Sequence, residues 1–119
     1  CALPIRRDQC HPMTGYRTVI DSFIAMHEVS ENLFKDDRAY VLPAHRVTPQ
    51  LAESVIKEVA AERGIKLGAI EDAFNERIQG IVSNWPVSVD GARAVALGMP
   101  KPPELKVIVE QYLEDFGPR

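Results

Sequence analysis

The chain has 119 residues, of which 45% are hydrophobic and 26% are charged, and its net charge is −3. This content builds one modest core, which excludes a disordered tail or a disulfide-held miniprotein and leaves little room for a second domain. No apolar run reaches the ~18–20 residues of a membrane span, so we expect no membrane partner. Because 14 basic residues face 17 acidic ones without a basic block, we expect no nucleic-acid partner either.

The N-terminal segment predicts an irregular arm, residues 1–16, ahead of a single helical α/β lobe, residues 17–119. The arm holds both cysteines, Cys1 and Cys10, and a bridge between them would close only a short loop. Two lone thiols are compatible with a reducing compartment, so we expect a cytoplasmic location. Because the chain begins at cysteine, we expect a processed, trimmed or fragmentary chain.

A first helix is predicted from about Arg17 to Glu28, with Ser22 off its apolar side. Its apolar stripe consists of Val19, Ile20, Phe23, Ile24 and Met26. The polar residues 30–37 predict a loop. The apolar run 38–43, which ends at a proline, predicts a strand.

The clearest helix start is Thr48-Pro49, because the hydroxyl caps free amides and proline at the first position loses no hydrogen bond. Gly64 supplies a left-handed stop, which predicts a helix over residues 49–63. Residues 65–70 are a candidate second strand. They are the first candidate partner for the strand at 38–43, and the alternative is a strand outside this chain.

The C-terminal half predicts three more helices. The first ends at Pro86 and has an apolar face made of Phe74, Ile78, Ile81, Val82 and Trp85. A short second helix runs from an Asp90 cap to Leu97, and a proline-rich linker, 99–103, leads to the last helix, 104–116. Together the elements predict a mainly helical α+β fold with four to five helices and one or two short strands.

Motifs for known chemistry are absent from the sequence. It has no GxGxxG or Walker turn for phosphates, no GxSxG elbow, no HExxH and no YxxxK pair. The histidines His11, His27 and His45 lack the spacing of a metal site, so we expect no metal. A small enzyme complete in this chain therefore has the least support.

Arginines near the N-terminus form the first candidate site. Arg6, Arg7 and Arg17 flank His11, and guanidinium forks suit a carboxylate or phosphate. The alternative is that these arginines are solvated basic residues on a flexible arm.

Two further features carry weaker functional hypotheses. Trp85-Pro86 at a helix end is either a packing element or the wall of a ligand site. His45-Arg46 follows the predicted strand, where ligand sites form in α/β proteins.

Several segments, taken in order, resemble the C-terminal end of extended short-chain dehydrogenases/reductases. The resemblance is to the D-erythronate dehydrogenase-like branch of the NAD-dependent epimerase/dehydratase superfamily. The segments are Ile81–Pro86, Asp90, Ala94–Gly98 and Ile108–Asp115, with Tyr40–Pro43 and Val47-Thr48 upstream. Pro4, Arg7-Asp8, His11 and Arg17 are similar to the arm that precedes the first helix in that branch.

The resemblance implies that two lobes of the intact enzyme have different functions. In that family a first lobe binds the dinucleotide and carries the catalytic Ser/Thr, Tyr and Lys, while a smaller C-terminal lobe covers the substrate. This chain resembles the second lobe only, so NAD(P) is implied for the intact enzyme and no cofactor or catalytic residue is expected here. Arg7, His11 and Arg17 match positions on the substrate side.

The implied function is a substrate-binding lobe of an NAD(P)-dependent oxidoreductase that acts on a small hydroxy acid or sugar-like polyol. On its own the lobe is not expected to be catalytic. Its expected partners are a small-molecule substrate and either the dinucleotide-binding lobe or a second copy of itself. The alternative is an independent binding or interaction module derived from such a lobe, with a homodimer as one form it could take.

Overall fold

The structure, a computed structural model, describes residues 1–117. Its helices are α1 (Tyr16–Glu28), α2 (Pro49–Glu62), α3 (Glu76–Val82), α4 (Ala92–Ala96) and α5 (Leu105–Phe116). Its strands are β1 (Ala2–Leu3), β2 (His11–Met13), β3 (His45–Val47) and β4 (Glu71–Asp72), and a 3₁₀ turn spans Glu31–Leu33. The predicted mainly helical α+β fold is confirmed, with more strands than expected.

The predicted strand at 38–43 is wrong, because this segment is a loop and β3 begins only after Pro43. Arg93 of α4 holds the loop: its Nη2 donates to the Asp37 carbonyl at 2.9 Å. Its guanidinium carbon also lies 4.5 Å from the centre of the Tyr40 ring. Arg93 therefore holds in a loop the segment that the local sequence pattern predicted as a strand.

Both strand pairs involve the N-terminal arm. β3 pairs antiparallel with β2, so that His11 lies opposite Val47. β4 pairs in parallel with β1, and Ala2 lies opposite Glu71. Residues 65–70 form no strand, so the predicted pairing of this segment with 38–43 is wrong. Residues 1–16 contain two ordered strands, although the division between an arm and a lobe stays a prediction.

Helix α1 has nearly the predicted bounds but turns the opposite side inward. Ile20, Phe23 and Ile24 are 53%, 69% and 60% exposed, whereas Thr18 and Ser22 are buried. The Ser22 hydroxyl donates to the Thr18 carbonyl at 2.7 Å, so burial leaves the hydroxyl donor satisfied. We call Ile20, Phe23 and Ile24 the outer face of α1.

Helix α2 confirms the cap chemistry of the sequence. The Thr48 hydroxyl accepts a hydrogen bond from the Leu51 amide at 3.1 Å, and Pro49 occupies the first turn. Gly64 after the helix has φ = +64°, the left-handed conformation that glycine adopts without strain. α2 packs against α5, and the buried side of α2 includes Val59.

Helix α3 is shorter than predicted, and its apolar stripe is mostly wrong. Ile81 and Trp85 are each 55% exposed, while Gln79 and Val82 are buried. The buried amide is satisfied, because the Gln79 Oε1 accepts from the Arg6 backbone amide at 2.7 Å. A polar residue therefore faces inward here because the arm supplies its hydrogen-bond partner.

The last two helices lie close to their predicted positions. The predicted Asp90 cap is wrong, because the N-cap of α4 is Gly91, although the Asp90 carboxylate accepts a hydrogen bond from the Ala92 amide at 2.9 Å. Gly98 follows α4 with φ = +94°, and α5 ends before Gly117 as expected. Residues 99–103 form no helix or strand, in agreement with the predicted linker.

The molecule is a slab with extents of 50 × 38 × 17 Å. Its radius of gyration is 16.9 Å, whereas a compact chain of this length has about 13–14 Å. The buried apolar residues among 1–117 are Phe34, Val47, Val59, Ala60, Val82, Ala94 and Met99. Much of the apolar content therefore stays at the surface.

Candidate functional site

An apolar cavity of about 510 Å³ lies between the β2–β3 ribbon, the start of α2 and the end of α3. The side chains that line it are Ile5, His11, Pro12, Met13, Val47, Thr48, Pro49, Ala52, Val82, Trp85 and Pro86. Buried Val47 and Val82 contrast with Met13 and Trp85, which are about half exposed. We call this space the His11 cavity.

His11 and Trp85 meet at this cavity. Their ring centres are 6.4 Å apart and the ring planes cross at 86°, an edge-to-face arrangement. β2 fixes the backbone of His11 by pairing with β3. Trp85 lies three residues after the end of α3, and its amide donates to the Val82 carbonyl at 3.0 Å. The Nε2 atom of His11 is buried and has no hydrogen-bond partner in the described residues.

Arg7 lies elsewhere, between α2 and β4. Its Nη1 bonds the Glu53 carboxylate and its Nε donates to Asp72 at 2.6 Å. These hydrogen bonds, the one to Glu53 first, raise the pKa of Arg7. Lys57 and then Arg7 lower the pKa of Glu53. The guanidinium thus ties the arm to the lobe, and a substrate carboxylate would have to replace one of these partners.

Arg17 contacts the C-terminal helix. Its Nη2 donates to Asp115 at 2.7 Å and to Glu114 at 3.1 Å. The hydroxyl of Tyr16 also bonds the Asp115 carboxylate. Burial first, and this hydrogen bond second, raise the pKa of Tyr16. Arg17 therefore joins α1 to α5.

The three predicted site residues do not converge on one cavity. Neither Arg7 nor Arg17 lines the His11 cavity. The structure instead brings His11 together with Trp85, two residues that the sequence singled out separately. Thr48, which was predicted as a helix cap, also lines the cavity. Apolar lining residues such as Ile5 carried no sequence signal beyond their hydrophobicity.

The remaining candidate, His45-Arg46, is placed in β3. The His45 Nε2 lies 2.6 Å from the Pro103 carbonyl oxygen, which fixes the ring against the 99–103 linker. Arg46 is exposed and lies opposite Pro12 in the ribbon. This histidine thus has a structural partner in place of a ligand.

A second cavity and the outer face of α1 are further apolar surfaces of the molecule. The second cavity, about 350 Å³, lies between α2 and α5 and shares Met13 and Ala52 with the His11 cavity. The outer face of α1 carries its apolar side chains in solvent. Within residues 1–117, no three potential metal ligands lie together, and no helix has the length and apolarity to cross a bilayer.

The described residues do not fit a dinucleotide pyrophosphate. Such a site needs glycines that lead from a strand into a helix N-terminus. The left-handed glycines here, Gly64 and Gly98, instead follow the C-termini of α2 and α4. Gly15 precedes α1, but a Cβ there would lie 3.2 Å from the Ile108 side chain, so the position faces α5.

The fold is similar to the C-terminal lobe of epimerase and dehydrogenase structures. A nucleoside-diphosphate-sugar epimerase from Agrobacterium tumefaciens superposes with a TM-score of 0.83, over 98% of this chain and 33% of its own, at 21% identity. A GalE-like L-threonine dehydrogenase from Cupriavidus necator superposes with a TM-score of 0.78, over 96% and 35%, at 23% identity.

In sequence, the chain is similar to D-erythronate dehydrogenase from Haemophilus influenzae. The two are 27% identical over 102 residues, which are 86% of this chain and 32% of the relative. The chain thus spans about a third of the length of these relatives. No family model matches it. The predicted resemblance to the extended short-chain dehydrogenase/reductase class is confirmed.

Proposed function

We propose that the chain acts as the substrate-binding lobe of an NAD(P)-dependent oxidoreductase whose substrate is a small hydroxy acid or sugar-like polyol. The observation that carries the proposal is the fold match over nearly the whole chain to epimerase and dehydrogenase structures about three times as long. In such an assembly the lobe orients the substrate and excludes water, while the dinucleotide lobe supplies hydride transfer.

The outer face of α1 supports this proposal. Exposed Ile20, Phe23 and Ile24 would contact water in an isolated lobe, and contiguous apolar surface of this kind marks interaction sites. The resemblance implies a dinucleotide-binding lobe as the partner, and the relatives are long enough to contain one.

Among the predicted substrate contacts, His11 is the best supported, because its ring lines a cavity. Arg7 and Arg17 remain predicted substrate contacts. Each would exchange a carboxylate partner in this chain for the carboxylate of a substrate.

A chimera tests the proposal. Residues 1–119 replace the matching third of the Haemophilus influenzae relative, and reduction of NAD⁺ or NADP⁺ is measured with D-erythronate, L-threonine and related hydroxy acids. We expect activity that depends on the fused lobe, and an increase in KM for the hydroxy acid in Arg7→Gln, with KM for the dinucleotide unchanged. A folded chimera that binds the dinucleotide but oxidises none of these compounds would contradict the proposal.

The chimera is complemented by the upstream coding sequence and by a Tm measurement on the chain alone. NAD⁺ and NADH should not raise its Tm, and clear stabilisation by either would contradict the assignment of the cofactor to another lobe. The coding region upstream of Cys1 should contain a glycine-rich turn and a YxxxK pair.

A second candidate function, a self-associating binding module, is favoured by the same exposed residues on α1. Sedimentation velocity distinguishes the two: a module that pairs with a second copy gives a dimer, and Phe23→Glu converts it to a monomer. A monomer at all concentrations removes this candidate.

A further inference from the structure

We propose that the edge of β1 that lies away from β4 accepts a further parallel strand, and that this strand belongs to the dinucleotide-binding lobe. β1 is then an interior strand of one parallel sheet that the two lobes share. The identity of the lobe that supplies the strand rests on the proposed function above. The open edge of β1 is a feature of the chain described here.

The β1–β4 pair is too small to be stable on its own. Each strand has two residues, and the strands run parallel, with Ala2 opposite Glu71 and Leu3 opposite Asp72. Parallel sheets occur almost only with both faces covered, and even an antiparallel two-stranded hairpin is marginal in water. Ala2, Glu71 and Asp72 are nevertheless exposed. Such a pair is typical of the rim of a larger sheet.

The hydrogen bonds of the pair show which groups of β1 are open. The Glu71 amide donates to the Cys1 carbonyl at 2.9 Å. The Ala73 amide donates to the Leu3 carbonyl, also at 2.9 Å. Because successive carbonyls of a strand point to opposite sides, the N–H and C=O of Ala2 point away from β4. Within residues 1–117 no strand pairs with β1 on that side, so this edge can extend a sheet.

The side chains distinguish the two edges of the pair. β4 consists of Glu71 and Asp72, and the Asp72 side chain is 66% exposed. Charged side chains of this kind mark the outermost strand of a sheet. β1 and the two residues after it, Ala2–Ile5, form an uncharged run that is typical of a strand covered on both faces. The added strand therefore belongs beside β1 and not beside β4.

A depression beside β1 supports this assignment. It has a volume of about 370 Å³, and its apolar lining residues are Leu3, Ile5 and Phe74. Leu3 and Ile5 are two positions apart, which is the spacing of side chains on one face of a strand. Phe74 is 60% exposed. An adjoining strand with apolar side chains of its own would cover this depression.

The direction of the strands favours another lobe over a second copy of the chain. A two-fold axis places a strand antiparallel to its own copy, whereas a sheet continued from β1 and β4 needs a parallel strand. Dinucleotide-binding folds are built on a mostly parallel sheet. This chain spans about a third of the length of its relatives, so their remaining two thirds can contain such a sheet.

Amide hydrogen exchange in the chimera tests the edge. In the chain alone the Ala2 amide should exchange as an unprotected amide does, and in the chimera it should be protected on the order of 100-fold. Ala2→Pro removes the amide and should lower the Tm of the chimera by about 2–4 °C, with no change in the chain alone. Ala2→Ser keeps the amide and should leave both Tm values unchanged.

A folded chimera in which the Ala2 amide is unprotected would overturn the proposal. Equal Tm values for Ala2→Pro and Ala2→Ser in the chimera would do the same. Protection of Ala2 in the chain alone that rises with concentration would assign the edge to a second copy, and that result also overturns the proposal. Exchange in the unsubstituted chimera decides the matter where a variant fails to fold.

The same chimera separates this proposal from the proposed function. Protection of the Ala2 amide without oxidation of any hydroxy acid would contradict the proposed function alone. An active chimera with an unprotected Ala2 amide would contradict the shared sheet alone.

Discussion

The carboxylate of Asp115 accepts two hydrogen bonds from the guanidinium of Arg17, at 2.9 Å from Nε and 2.7 Å from Nη2. These residues are 98 positions apart, so the pair joins the first helix to the last. The Tyr16 hydroxyl contacts the same carboxylate, and Arg17 followed by Tyr16 holds the pKa of Asp115 below its ordinary value.

Removal of the Asp115 carboxylate should make the Tm of the protein less dependent on pH in the acid range. A folded-state pKa below the unfolded value stabilises the protein above about pH 4, and that stabilisation is lost as pH falls through the folded pKa. Asp115→Asn should therefore lower Tm by a few degrees at neutral pH and by less in acid. Thermal unfolding at several pH values measures this, with Asp21→Asn, an exposed charge change on α1, as the control. If the Tm of Asp115→Asn and of wild type changed with pH in the same way, the Asp115 carboxylate would not be a source of the pH-dependent stability.

The two sides of the molecule should respond differently to truncation. Val59→Ala removes methyl groups from a side chain that is 1% exposed, and should cost about 1–3 kcal/mol of unfolding free energy. Phe23→Ala removes a larger side chain that is 69% exposed, and should change the stability of the isolated chain by less than about 0.5 kcal/mol. Denaturant unfolding measures both. A larger loss for Phe23→Ala would show that the outer face is buried in solution.

Replacement of two glycines by alanine should change stability in opposite directions. A Cβ at Gly91 would overlap the backbone of Leu42 and Pro43, so Gly91→Ala should destabilise the fold by about 1–3 kcal/mol. Gly80 lies in α3, and a Cβ there would meet no neighbouring element within 4 Å, so Gly80→Ala should stabilise by about 0.5–1 kcal/mol. Chemical denaturation gives both values, and a stabilising Gly91→Ala would contradict the close approach of α4 to the loop.

Arg93 should not be replaceable by lysine. Its Nη2 donates to the Asp37 carbonyl and lies 3.2 Å from the Tyr40 hydroxyl, a multiple contact that a single ammonium cannot reproduce. Arg93→Lys should increase amide hydrogen exchange at the Ala39 amide, which donates to the Asp37 carboxylate, and leave α5 unchanged. Unchanged exchange at Ala39 would exclude a role for Arg93 in ordering this loop.

Local chemistry predicted the helix ends, because caps act over a few residues. Thr48 and Gly64 bound α2 as expected. The inward side of α1 was not predictable in this way, since the sequence pattern alone does not say that Phe23 faces outward and Ser22 inward. The prediction of strand pairing failed for a related reason. β1 and β4 pair although they are far apart in the sequence, and neither short strand carries a local signal for the other.

The candidate site was predictable in its parts and not as a whole. His11 and Trp85 each stood out by residue type and position, but their meeting depends on how the β2–β3 ribbon lies against α3. The arginines suited an anion by chemistry alone. Their carboxylate partners, Glu53 for Arg7 and Asp115 for Arg17, lie on other helices and became visible only in the fold.

The 17 Å thickness of the slab has a consequence for mutational scanning. A slab this thin leaves a helix with one side against the lobe and the other against solvent or a partner. Substitutions at Thr18 and Ser22 should therefore reduce the amount of folded chain. Substitutions at Phe23 and Ile24 should leave the amount of folded chain unchanged and reduce only its association with a partner. Positions on the two sides of α1 would therefore give two different phenotypes.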